Sequence, residues 1–142
     1  MHPVQYCAQE CEHQKTTPIA VWNMYQALEY LQVTVFWNHP IESILTMAKM
    51  IEPEQNENGF RNVPVSIGDK VIHPVRIFER IETLMGSSDG ISSVDLYEEF
   101  QNIHPFCDGN GRVGSLIFNL VNGTIFDPIH APNIFVGQNS KM

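Results

Sequence analysis

Nine consecutive residues constrain this chain more than any other stretch: His104-Pro105-Phe106-Cys107-Asp108-Gly109-Asn110-Gly111-Arg112. Nowhere else do a titratable base, a carboxylate, an amide, a guanidinium and two glycines fall so close together. Leu96, Tyr97, Phe100 and Ile103 predict a helix leading in. Val113, Leu116, Ile117, Leu120 and Val121 predict a helix leading out, ended by Gly123. A glycine-rich turn at a helix start can aim several backbone N–H groups at one anion, and the helix end adds its partial positive charge. A carboxylate just ahead of such a turn could hold Mg²⁺ on a phosphate, and a histidine beside it could take a proton. The pattern predicts phosphate chemistry at a helix N-terminus.

The remaining chain supplies a helical frame for that loop. Thr17-Pro18 has the form of an N-cap followed by proline at the first helical position, and Val21, Met24, Tyr25, Leu28 and Leu31 share one face behind it. That period dissolves over Val33–Trp37. Asn38-His39-Pro40 opens a second helix carrying Ile41, Ile44, Leu45, Ala48 and Ile51, with His39 as a solvent-side capping residue. Pro74 opens a third, with Ile77, Phe78, Ile81, Leu84 and Met85 on one face and Gly86 just past its end; Ser92 or Ser93 caps the helix before His104. Between these, Val63, Val65 and Ile67 alternate as a strand does, Gly68-Asp69 turns, and Val71-Ile72 resumes an extended run. A lone hairpin contributes little core stability. It reads as a flap over residues 59–73 whose open edge can pair with an extended peptide.

The expected fold is therefore mainly α: about five helices around one core, with one β-hairpin flap. Residues 1–15 are expected as a polar N-terminal tail and 16–142 as the domain. In the tail, His2, Cys7, Cys11 and His13 are candidate metal ligands, although the spacing matches no common zinc finger. The segment 124–142 lacks helical period and is expected to lie extended, with Phe126, Ile129, Ile134 and Phe135 available to pack.

Composition narrows the partners. A net charge of −8 with eight basic residues argues against a nucleic-acid surface, which needs clustered Lys and Arg. No apolar run reaches membrane-spanning length, and the N-terminus lacks the basic-then-apolar order of a signal peptide. Three cysteines do not build a disulfide framework. The expectation is a soluble cytoplasmic protein with reduced thiols, no membrane partner and no nucleic acid.

Residues 104–112 resemble the signature of the Fic (Fic/Doc) family, HPFx(D/E)GNGRxxR, and Gly59-Phe60-Arg61 followed by the hairpin and Pro74 resembles that family's flap. The resemblance implies a helical protein that transfers a nucleoside monophosphate, usually AMP from ATP, to a Ser, Thr or Tyr hydroxyl of a target protein. It implies His104 as general base and Asp108 as Mg²⁺ ligand. Gly109, Asn110 and Gly111 would form the anion hole, with the Asn110 side chain on the α-phosphate, and Arg112 would meet the outgoing phosphates. Phe106 would be a core anchor, Cys107 a variable position, and Val63, Val65 and Ile67 the target-binding flap. Doc-type members, which phosphorylate a translation factor, carry Lys where this chain has Gly111, so the resemblance favours nucleotidyl transfer.

Two positions depart from the family pattern. The final Arg, which grips the terminal phosphate, is Ser115 here. That loss leaves room for a different phosphate donor, or for a weakened or inactive binding module. The inhibitory motif (S/T)xxxE(G/N) is absent, so restraint would come from a partner in trans such as an antitoxin.

Overall fold

The computed structural model describes residues 1–14 and 18–132. Among these, six α-helices and one two-stranded antiparallel hairpin surround a single core. The helices are α1 (Pro3–His13), α2 (Pro18–Val33), α3 (Pro40–Ile51), α4 (Ile77–Gly86), α5 (Ser93–Ile103) and α6 (Asn110–Asn122). The strands are β1 (Val65–Ile67) and β2 (Lys70–Ile72). No described helix is long and apolar enough to cross a membrane.

The centre is α6, which packs on α5, α3 and α2. Val113, Leu116, Ile117 and Phe118 are buried along it, and so are Gly114, Ser115 and Asn119 on its other faces. Gly114 is needed for the α5 contact: a Cβ there would collide with the Gln101 side chain and lie 3.1 Å from the Phe100 ring. The helix begins at Asn110, three residues earlier than its apolar stripe, because Gly109 adopts the left-handed conformation (φ 82°) that lets the chain turn directly into a helix.

The first helix is a correction to the sequence reading. Residues 1–15 were expected as a polar tail, yet Pro3–His13 is helix and packs on α2. Tyr6, Cys7, Glu10 and Cys11 are its buried residues. Their spacing of one, four and five is a helical stripe, obscured because a carboxylate and two thiols occupy it.

Other boundaries differ in smaller ways. The crowded Val33–Trp37 stretch ends α2 and passes into a 3₁₀ turn, with Phe36 buried and Val33, Val35 and Trp37 left exposed. His39 precedes α3 at the cap position but makes no side-chain capping bond. Pro74 lies three residues before α4, whose cap is Arg76 in the left-handed conformation. Ser92 caps α5 as expected, its hydroxyl accepting from the Asp95 N–H at 3.1 Å.

The hairpin pairs Val65 with Ile72 and Ile67 with Lys70 across the Gly68-Asp69 turn. Val63 lies outside β1 and is exposed. In the C-terminal segment the buried residues are Ile125 and Pro128; Phe126 and Ile129 are exposed, and Ile134 and Phe135 lie outside the described residues. Asn119 of α6 holds this segment in place. Its amide donates to the Ile129 carbonyl, and its oxygen accepts from the Ile129 N–H and the Thr124 hydroxyl.

Candidate active site

His104 ends α5 in the left-handed conformation (φ 51°, ψ 62°), an uncommon place for a non-glycine residue and one that histidine tolerates better than most. Its N–H donates to the Phe100 carbonyl, closing the helix, and the chain then swings through Pro105 into the loop. The imidazole is half-buried. Burial lowers its pKa below the usual histidine value; the Gln101 backbone carbonyl pulls the other way, the Arg61 guanidinium lowers it further, and Asp108 opposes. The net shift favours the neutral ring. Nδ1 is shut away from solvent and lies outside good hydrogen-bond geometry with any group, the Gln101 carbonyl included.

The loop is fixed from both sides. Phe106 is fully buried against Phe60, their ring centroids 5.3 Å apart. The Asn110 side chain brackets the same residue, donating to the Phe106 carbonyl at 2.8 Å and accepting from its N–H at 2.9 Å. The Asn110 amide was expected on the α-phosphate; its oxygen and one of its two N–H donors are engaged by the loop it closes. The Gln101 amide donates to the Asn110 carbonyl at 3.0 Å, tying α5 to the first turn of α6.

The first helical bond of α6 runs from the Val113 N–H to the Gly109 carbonyl. The N–H groups of Asn110, Gly111 and Arg112 therefore have no helical acceptor behind them and form the anion-attracting end of α6. At Gly111 the end of α1 lies against this turn: a Cβ would lie 2.7 Å from the Gln14 side-chain oxygen, so a larger residue would have to push that flexible side chain aside.

Asp108 stands at the rim, its side chain 55% exposed. One carboxylate oxygen accepts from the Gly109 N–H at 2.8 Å, and the Asn56 amide donates to the Asp108 carbonyl at 3.0 Å. An accessible carboxylate beside a helix N-terminus is a donor set that fits a hard cation shared with phosphate oxygens. Cys107 is exposed.

Arg112 behaves differently from expectation. It was expected to meet outgoing phosphates, but it is almost wholly buried (1%) and donates from Nη2 to Glu52 Oε1 at 2.9 Å, with Asp108 Oδ1 at 3.7 Å. Its Nε and Nη1 are buried without partners. Such orphaned charged donors are costly unless an anion meets them.

Four residues of this constellation were given no role by the sequence reading. Glu52, Asn56, Arg61 and Gln101 act on residues 9 to 60 positions away. Arg61 makes the most bonds: it donates to the carbonyls of His104, Ile103, Val63 and Ile72, so one guanidinium joins the flap to the motif loop. It is the feature most open to sequence reasoning, since Gly59-Phe60-Arg61 stands directly before the flap.

Ser115, at the position of the missing Arg, is 2% exposed. It lines a half-enclosed cavity of about 440 Å³ together with Glu10, His13, Gln14, Tyr97 and His130. The described part of this cavity wall contributes a carboxylate and no guanidinium. Of the candidate metal ligands in α1, Cys7 and Cys11 point into the core, and burial, with Cys11 and Glu10 adding to it, pushes the Cys7 thiol up to about 12. His2 instead accepts from the Val4 N–H as a helix cap. The expected tail quartet is therefore not brought together.

No curated protein resembles the chain closely enough to register as a relative. The model of the Fic/DOC family matches residues 39–121, from the cap of α3 through the end of the α6 stripe, which is more than half of the chain. With the loop, flap and central helix in this arrangement, the chain belongs to the Fic/DOC family.

Proposed function

We propose that this protein is a Mg²⁺-dependent nucleotidyltransferase that moves a nucleoside monophosphate, AMP from ATP, to a Ser, Thr or Tyr hydroxyl of a target protein. The observation that carries the reading is a neutral-leaning His104 placed four residues before Asp108 and immediately ahead of the open N-terminus of α6. His104 takes the hydroxyl proton on Nε2 as the hydroxyl oxygen bonds to the α-phosphorus. The bond from that phosphorus to its bridging oxygen breaks, and pyrophosphate leaves. The N–H groups of Asn110, Gly111 and Arg112 hold the α-phosphate oxygens, whose charge is worth most to stabilise as the new bond forms. Asp108 would hold Mg²⁺, which would supply charge neutralisation on the departing phosphates.

The flap gives the target its place. β1 has an unpaired outer edge, and Val63, Val65 and Ile67 lie along that stretch, so an extended target segment can add as a strand and bring its hydroxyl to His104. Restraint by an antitoxin-like partner in trans fits the absence of the family's inhibitory motif.

A second reading is favoured by Ser115. The cavity where a terminal phosphate would be gripped carries Glu10 instead of an arginine, which suits a donor with one phosphate fewer, or with a neutral group beyond the α-phosphate. A Fic-fold binding module without turnover follows from the same loss.

The experiment is direct. Purified protein, Mg²⁺, each labelled nucleoside triphosphate or diphosphate conjugate, and a lysate are incubated beside a His104→Ala control. Label transferred above the control supports transfer, and the donor that labels best separates the first two readings. Absence of transfer from every donor, with nucleotide binding retained in calorimetry, leaves the binding module.

A further inference from the structure

We propose that Glu10, His13 and His130 form a zinc-binding site that clasps the C-terminal segment onto α1. The site uses none of the residues assigned to the transfer step, although it shares Glu10 and its cavity with Ser115. The three side chains offer ligand atoms that all lie within 4.8 Å of one another. Glu10 Oε2 is 3.8 Å from His13 Nδ1 and 2.7 Å from His130 Nδ1. A tetrahedral zinc with bonds of about 2.0–2.2 Å needs ligand atoms roughly 3.3–3.5 Å apart, so changes in separation of up to about 1.5 Å, shared between two side chains, suffice. Two imidazoles and one carboxylate are a donor set that suits zinc over the hard cations, with a fourth position left to water from the adjoining cavity.

The cluster is built rather than accidental. Glu10 is a carboxylate on the buried face of α1, its side chain only 8% exposed, and no lysine or arginine pairs with it among the described residues. His130 is held in three ways. Its ring stacks on Tyr6 with centroids 5.3 Å apart. Its Nε2 meets Gln9 Oε1 at 2.7 Å. Its backbone follows Ile129, which Asn119 grips through both the N–H and the carbonyl. The Gln9 contact is the outer support a metal-ligating histidine requires, fixing the proton on one nitrogen and freeing the lone pair of the other.

The roles of the two His130 ring nitrogens depend on its tautomer, and one of the two tautomers calls for a cation. With Nε2–H given to the Gln9 oxygen, the Nδ1 lone pair of a neutral imidazole faces a carboxylate oxygen at 2.7 Å. Two acceptors at that separation repel unless a positive charge stands between them. His13, whose ring lies 5.3 Å from that of His130, adds a third donor on the solvent side. The chain elements joined are α1, the segment after α6 and, through Asn119, α6 itself.

The test uses the full chain, stripped of metal with a chelator and titrated with ZnCl₂ by calorimetry. One zinc per chain, bound at micromolar concentration or tighter, with a rise in the thermal unfolding midpoint, is expected. His130→Ala and Glu10→Gln should weaken binding at least tenfold, and Gln9→Leu should weaken it by about 10–100-fold. His13 is largely exposed, so His13→Ala tests the site without disturbing the fold. No binding at tens of micromolar zinc would overturn the proposal and leave a proton as the bridging charge. Binding unchanged in both His13→Ala and His130→Ala would overturn it as well. Cobalt(II) substitution reads the donor set: a thiolate charge-transfer band would assign the metal to Cys7 or Cys11 and defeat the assignment.

Discussion

The Arg61 guanidinium donates from Nε to the His104 carbonyl at 2.6 Å. The residue at the root of the flap thus holds the backbone of the residue carrying the candidate base. The same side chain donates from Nη1 to Val63 and Ile72, one on each arm of the flap, and from Nη2 to Ile103. Its own N–H donates to Pro105. A non-glycine residue in the left-handed conformation costs about 1–2 kcal/mol. The carbonyl bonds of Arg61 offset that cost at His104, and they make flap position and imidazole position one variable.

Replacement of that clamp should therefore separate stability from nucleotide binding. Lysine keeps the charge but not the planar fork that spans both arms of the flap. Arg61→Lys is expected to lower the unfolding free energy by about 2–4 kcal/mol, since charged hydrogen bonds to buried carbonyls are lost. Urea denaturation reads this. Transfer to a protein target should fall by more than ATP affinity does, because the target and not the nucleotide needs the flap. Equal losses in both would show that Arg61 only supports the fold.

The titration of His104 gives a pH prediction with a definite sign. Burial lowers its folded pKa below the unfolded value near 6.5. The unfolded chain then binds the proton more readily, so this group's stabilising contribution is complete above pH 6.5. It is lost as pH falls through 6.5 toward the folded pKa. His104→Gln should flatten the stability curve in that window, measured by thermal unfolding in steps of pH. Transfer activity should hold its value down to and somewhat below pH 6.5, where an exposed histidine would already have lost half. An acid limb centred above 6.5 would remove the burial argument.

How much of this was legible beforehand follows from what each contact depends on. Helices α2 to α6 announce themselves through apolar residues at three- and four-residue spacing, and the motif loop through its own consecutive residues. α1 was readable only with hindsight about composition, because Tyr6, Cys7, Glu10 and Cys11 look like a polar tail with metal ligands until burial is known. The roles of Glu52 and Asn56 were not readable at all. They meet Arg112 and Asp108 across 60 and 52 residues, and no local pattern encodes which turn of α3 will lie beside the start of α6. The loop-closing bonds of Asn110 were unreadable for a related reason. An amide beside a phosphate loop invites assignment to the phosphate, and only the positions of the Phe106 N–H and carbonyl show that it closes the loop on itself.

Glu52 sets the state of Arg112. The carboxylate satisfies one guanidinium nitrogen while Nε and Nη1 have no partner. Glu52→Gln removes the countercharge of an arginine that is 1% exposed. Stability without nucleotide should fall by about 1–3 kcal/mol, reduced from the full buried-pair cost because the Glu52 side chain keeps partial solvent access. Nucleotide or pyrophosphate should restore most of it, and affinity for either should rise, since only the more distant Asp108 carboxylate at 3.7 Å then competes for the guanidinium. Differential scanning fluorimetry with and without pyrophosphate checks both. A variant destabilised equally in the two conditions would place Arg112 outside the phosphate site.

Restoring arginine at position 115 is a test of the altered phosphate grip, and the surroundings of Ser115 decide its outcome. The serine is 2% exposed, its hydroxyl interacts with the Tyr6 and Tyr97 phenols, and Glu10 lines the same cavity. An added guanidinium must displace this packing, which costs about 1–3 kcal/mol for an overfilled core position. It then meets the Glu10 carboxylate before any phosphate. Ser115→Arg alone is expected to lower the unfolding midpoint and leave ATP affinity nearly unchanged. Combined with Glu10→Gln, in zinc-free buffer, it should tighten ATP binding about tenfold over either single variant, a coupling that adjacent residues sharing one cavity can carry. Calorimetric titration of all four proteins closes the cycle. Additive effects across it would mean that position 115 and Glu10 face different ligands, and that the terminal phosphate is held elsewhere or not at all.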